Sequence, residues 1–245
     1  MKDFRFVLTA FLCCLILSSQ AQIQNIDRGA TDNNTGYKLY KEIKPKLRDP
    51  NTIGYYIEPD WLIGNVMLND GSDLSNIPLK YDAVRNQLEI KEDDVVKVID
   101  GRFIFSFEWF KPGPVGKSKF VKTNVYESDE SMPEGFLEIL VDRDVKLLHH
   151  RTMKLFQANS SVSASGSHRS HTVVNIDKYY LLKDSSLQKL EKSKKRNLKY
   201  FPEFKDEISS YAWKKGLLFR RQDDLVLIVN YYNDLMSRSS GTINN

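Results

Sequence analysis

From Trp61 onward, apolar and polar positions alternate along the chain with a period of two. Leu62, Gly64, Val66 and Leu68 share one face, and Asn69-Asp70-Gly71 follows them as a hairpin turn. The spacing predicts further short strands over 77–81, 87–90 and 95–99, each bounded by polar turns. Phe103, Phe105, Phe107 and Trp109 then alternate with Ile104, Ser106 and Glu108, which places the four aromatics together on a core face. Residues 111–117 hold two prolines and two glycines and must form a loop. Strands resume over 120–126, 136–141, 145–156 and 172–182, with a short partner over 186–190. Short strands at near-regular spacing argue for an antiparallel β-sandwich or open barrel.

At about residue 193 the period lengthens. Pro202 suits the first turn of a helix, and Phe204, Ile208, Tyr211 and Ala212 recur at helical spacing up to Gly216, which reads as a C-cap. Asp223 and Asp224 open a second helix, where negative charge is favoured, and Leu225, Ile228, Val229, Tyr232 and Met236 make its apolar stripe. Neither helix is long enough to hold its fold alone, so two to three C-terminal helices are expected to pack on the sheet. The fold expected is therefore mainly β with an α tail: a β domain over 61–192 and a helical segment over 193–245. Tyr231 and Tyr232 are neighbours on a helix and cannot both point inward, which makes them candidates for an interface.

Ahead of the strands, residues 1–21 have the three parts of a secretory signal. Lys2 and Arg5 precede an apolar segment over 6–17, and Ser19 and Ala21 supply small residues for cleavage after Ala21. The expected destination is outside the cytoplasm, periplasmic or extracellular. Residues 22–60 are polar and interrupted by Pro45, Pro50 and Pro59, and read as a leader that is pinned only late. Beyond residue 17 no apolar run approaches the roughly 20 residues of a membrane helix. Both cysteines of the 245 residues, Cys13 and Cys14, lie inside the signal, so a processed chain would carry neither disulfides nor thiol chemistry. The full sequence, with 41% hydrophobic and 11% aromatic residues, has enough apolar content to bury a core without them.

Charge narrows the partners. Residues 178–222 hold 13 basic and 5 acidic side chains, a net of +8, whereas residues 22–177 hold 20 basic and 23 acidic, a net of −3. The excess is concentrated at Lys189, Lys192, Lys194, Lys195, Arg196 and Lys199, interleaved with Tyr200, Phe201 and Trp213. Export argues against nucleic acid as the target, and leaves an acidic protein surface, an anionic glycan or lipid head groups. The binding candidates are accordingly Tyr231, Tyr232, Lys194, Lys195 and Arg196.

Catalytic and metal signatures are weak. His168 and His171 form an H-x-x-H pair, but in a Ser-rich excursion over 158–171 and without a third ligand nearby. His149 and His150 are adjacent on a strand, so they point to opposite faces, one inward and one outward. Glu92-Asp93-Asp94 and the acids over 127–130 read as solvated turns; a loose calcium site lacks the EF-hand spacing. No P-loop, no G-x-S-x-G and no H-E-x-x-H is present, so neither catalytic residue, cofactor nor metal is expected.

The tail, through Tyr179-Tyr180-Leu181, Lys183, Leu187, Leu190, Phe201-Pro202, Asp223-Asp224-Leu225 and Tyr231-Tyr232-Asn233, resembles a group of uncharacterised secreted proteins of Bacteroidota. So does the front half, where Asp70-Gly71 leads to Pro78-Leu79-Lys80-Tyr81. The resemblance implies an envelope protein with a β domain and a helical C-terminal segment, and it transfers no activity. The expected function is a non-enzymatic, partner-binding envelope protein; the alternatives are a carrier of a small lipid or glycan, and a hydrolase built around His149 or His150.

Overall fold

The computed structural model describes residues 46–47, 54–113, 116–126, 134–157 and 171–241. The expected signal, most of the leader, the acids over 127–130, His168 and the rest of the Ser-rich stretch over 158–170 lie outside them. The strands are β1 (Lys46–Leu47), β2 (Leu62–Leu68), β3 (Asp73–Asp82), β4 (Gln87–Glu92), β5 (Val95–Asp100), β6 (Ile104–Phe110), β7 (Lys117–Lys122), β8 (Phe136–Val141), β9 (Lys146–Gln157), β10 (His171–Lys183) and β11 (Ser186–Lys189). They form one antiparallel sheet in the order β1-β5-β4-β3-β2-β6-β7-β8-β9-β10-β11, not closed into a barrel. Three helices follow: α1 (Lys194–Asn197), α2 (Lys205–Lys215) and α3 (Gln222–Gly241). The mainly antiparallel β architecture with a helical tail is thus the one the residue pattern predicts.

One short link dictates the shape of the front half. Only Gly101–Phe103, a 3₁₀ turn, joins β5 to β6, although β4, β3 and β2 lie between them in the sheet. Four inter-strand steps in a flat sheet span about 19 Å, and a link of this length reaches only about 14 Å. The sheet must therefore coil. Gly101 N–H bonds Asn86 O at 2.8 Å and Asn69 N–H bonds Phe103 O at 2.9 Å, which holds the link down. The coil encloses Val66, Leu79, Leu88, Ile99, Phe107 and Trp109, with Phe107 stacked on Phe120 at 4.6 Å.

The aromatic alternation on β6 departs from expectation. Phe107 and Trp109 are buried, but Phe103 and Phe105 are 38% and 42% exposed, and Ile104 is buried in their place. The register of β6 against β2 shifts between Met67 and Leu68. This bulge inserts an extra residue and turns the first half of the strand over.

The back half has a core on each face of the sheet. Leu147 and Leu181 meet Ile208, Ala212, Leu225, Ile228, Val229 and Tyr232 of the helices. On the opposite face Leu137, Leu148, Tyr180, Leu182 and Leu187 pack together. Gly216 ends α2 in the left-handed conformation, φ 66°, as its position predicts. The buried amide of Asn233 clamps α3 to the sheet, since it accepts from Val145 N–H and donates to Val145 O, both at 2.9 Å. Among the described residues no helix is long and apolar enough to cross a membrane.

Candidate functional site: an open strand edge in a basic notch

The candidate site begins with a difference in strand length. β10 has 13 residues and β11 only 4, paired from Tyr180↔Lys189 to Lys183↔Ser186. One more bond, Leu190 N–H to Tyr179 O at 2.8 Å, extends the ladder before the chain leaves the edge. Asn197 fixes that departure. Its fully buried amide accepts from Glu191 N–H at 2.8 Å and donates to Glu191 O at 2.6 Å, which turns the chain out of the sheet.

Beyond this point, among the described residues, the outer edge of β10 has no strand beside it. In an antiparallel ladder a residue's N–H and C=O point to the same side, and the side alternates along the strand. Tyr179 directs its carbonyl toward β11, so Asp177, Asn175 and Val173 present their backbone groups on that same side. The even-numbered residues are directed toward β9, with which β10 pairs over its length.

The missing stretch of neighbouring strand leaves a notch of about 970 Å³. One wall is β10 from Asn175 to Tyr180, and the other is Leu187 to Lys192 with Lys199, Tyr200, Phe219 and Arg220. Five of its lining residues are basic (Lys178, Lys189, Lys192, Lys199 and Arg220) and two are acidic (Asp177 and Glu191). Both acids are drawn to cations or donors of their own. Glu191 pairs with Arg196, and Asp177 Oδ1 accepts from His149 Nε2 at 2.8 Å. Basic side chains thus outnumber acidic ones in the lining by five to two.

His149 links the edge to the interior. Its ring stacks on Tyr179 at 4.5 Å, and its Nδ1 faces Glu138 Oε2 at 3.6 Å, longer than a hydrogen bond. Burial pushes the Glu138 carboxyl up, but the polar contacts of His149 and Ser118 and the Arg151 charge outweigh it and hold the carboxyl below its ordinary value. The two nitrogens of His149 address carboxylates on opposite sides of the ring, so the three groups do not converge on a point. No group of three or more ligating side chains able to hold a metal occurs among the described residues.

The two histidines lie on opposite faces of β9, but neither points outward: both are 2% exposed. The expectation of one solvated histidine fails because both faces of the sheet are covered at this strand. Burial, aided by the Lys178 charge, lowers the pKa of His150 to about 4 against an opposing backbone hydrogen bond with Glu134.

The candidates named from sequence are dispersed. Tyr232 is fully buried, donates from its hydroxyl to Glu203 at 2.7 Å and accepts from Lys183 at 3.0 Å, so it is a packing residue. Tyr231 is half-buried and stacked on Tyr211 at 4.0 Å. Lys194 donates to Ser209 O at 3.1 Å, Lys195 is exposed, and Arg196 holds Glu191. None of the five lines the notch. Their neighbours in the basic run do: Lys189, Lys192 and Lys199. Asp177, Lys178 and Arg220 carry no sequence signal beyond their charge, because what makes them a site is the early end of β11. The Glu92-Asp93-Asp94 cluster is a hairpin turn, with both aspartates at positive φ and Asp94 held by Lys91 at 2.7 Å.

Comparison with known proteins adds no function: no family model, no curated protein and no solved structure matches this chain.

Proposed function

We propose that this chain is an exported, non-enzymatic envelope protein that binds a partner in the notch beside β10. The observation that carries the reading is the mismatch between a strand of 13 residues and a neighbour of 4, so that beside a basic recess the edge of β10 has no partner strand among the described residues. Exposed strand edges are templates for association, and proteins ordinarily cover or blunt them. Here the edge is instead framed by cations. The signal-like residues 1–21 support export, and the resemblance to secreted Bacteroidota proteins agrees with it. A carrier with an aromatic-lined pocket is less well supported, since Phe107, Trp109, Phe120 and Phe136 pack on one another inside the coil.

A photo-crosslinking amino acid at Asn175, introduced in the native host, tests the reading. The expected result is one dominant adduct from Asn175 and none from the same group at Asp93, on the distant β4–β5 turn. Equal labelling from both positions, or none from either, would contradict it.

A further inference from the structure

Resting on that partner-binding reading, we infer that the occupant of the notch is an acidic peptide segment in extended conformation, added to the sheet in line with β11 through the backbone of Val173, Asn175 and Asp177. Two independent features select this occupant. The first is the backbone. Asn175 and Asp177 direct N–H and C=O into the recess, Val173 continues the same edge beyond it, and β11 shows that this edge accepts an antiparallel neighbour as far as Tyr179. A folded surface cannot reach such a row, whereas an extended chain satisfies it in register. The second is charge. Lys192, Lys199 and Arg220, all beyond β11, line the path, while Asp177 and Glu191 are engaged by His149 and Arg196. Carboxylates on alternate residues of an added strand would project to one side of it, along the basic wall.

The chain's own segments do not complement this site. Residues 158–170 contain no acid, and residues 22–45 contain three acids against four bases. The acids over 127–130 belong to the short connection between β7 and β8, and β9 and β10 separate those strands from the open edge. A second copy is disfavoured too, since edge-to-edge pairing would bring two basic notches together. The occupant is therefore a segment of another protein.

The test uses a fluorescent peptide of alternating Glu and Val, its Lys/Val counterpart, and a Glu/Val version N-methylated at alternate residues, each titrated into the purified protein. The Glu/Val peptide should bind, more weakly as salt rises, and the Lys/Val peptide should not. Asn175→Pro removes one edge donor without touching the ladder to β9, and proline is tolerated on such an edge. It should weaken binding about tenfold or more, as should N-methylation, because each removes backbone bonds in an added strand. Lys192→Glu with Arg220→Glu, both exposed, should abolish binding while the unfolding midpoint stays unchanged.

Binding that survives both Asn175→Pro and N-methylation would overturn strand addition. Equal binding of the Lys/Val peptide would overturn the acidic specificity. If no peptide binds but Asn175 still gives a dominant adduct in the native host, this inference fails and the partner-binding reading stands. If neither occurs, both fail.

Discussion

His150 shows how burial of one titratable side chain sets a pH limit on the whole protein. Its pKa falls from an ordinary 6.5 to about 4 in the fold. Between these values the unfolded chain binds more protons, so the contribution of His150 is fully present above pH 6.5 and is lost as the pH falls through 4. The loss is on the order of 3 kcal/mol, because each tenfold change in proton affinity is worth about 1.4 kcal/mol. Urea unfolding midpoints should therefore drop across this window, and His150→Gln should flatten the drop. A midpoint equally steep in the variant would place the acid sensitivity elsewhere. Asn197 is the second residue on which much depends. Asn197→Ala strips the partners from both backbone groups of Glu191, and the expected cost is about 1–3 kcal/mol in denaturant unfolding. An unchanged midpoint would mean that the turn out of the sheet holds without it.

At the scale of the element, β6 provides the sharpest check on the fold. The bulge opposite Met67 and Leu68 buries Phe107 and exposes Phe105. Phe107→Ala should cost about 3–5 kcal/mol and Phe105→Ala about 1 or less. Similar losses from both would restore the simple alternation that the residue pattern suggests. That pattern is otherwise a good guide: the apolar period locates β2 to β11 within a few residues, Gly216 marks the end of α2 and Asp223-Asp224 the start of α3, while Pro202 opens a 3₁₀ turn that leads into α2. The bulge is not legible in it, because it is fixed by the register of β6 on β2, a non-local property. The notch is hidden for the same reason. The basic run is plain in the sequence, but which of its cations face a recess depends on where Asn197 turns the chain. Tyr232 follows the apolar stripe of α3 into the core. Of the two adjacent tyrosines only Tyr232 is fully buried, its hydroxyl partnered by Lys183 and Glu203, while Tyr231 stays half-exposed, as the helical spacing requires.

For the whole molecule, the helices and the sheet form a single packed body on the β8–β10 face. Leu147 and Leu181 lose their cover if α3 is removed, together with the Asn233 clamp on Val145. Deleting residues 222–245 should abolish cooperative unfolding or leave the protein insoluble; a truncated chain with an unchanged midpoint would show the tail to be a detachable module. This packing also serves the proposed function, because the segment around α1 and the α2–α3 connection form the far wall of the notch and hold its cations opposite β10. The proposed function requires the outer edge of β10 to be open in the free protein and filled by a partner strand in the complex. Amide hydrogen exchange resolved to single residues tests it most directly. In the free protein Val173, Asn175 and Asp177 should exchange fast while Val174 and Ile176, bonded toward β9, exchange slowly, and saturation with the acidic Glu/Val peptide should slow the first three to match. Protection of these three amides in the free protein, or no change on saturation, would contradict an open edge that a partner strand fills.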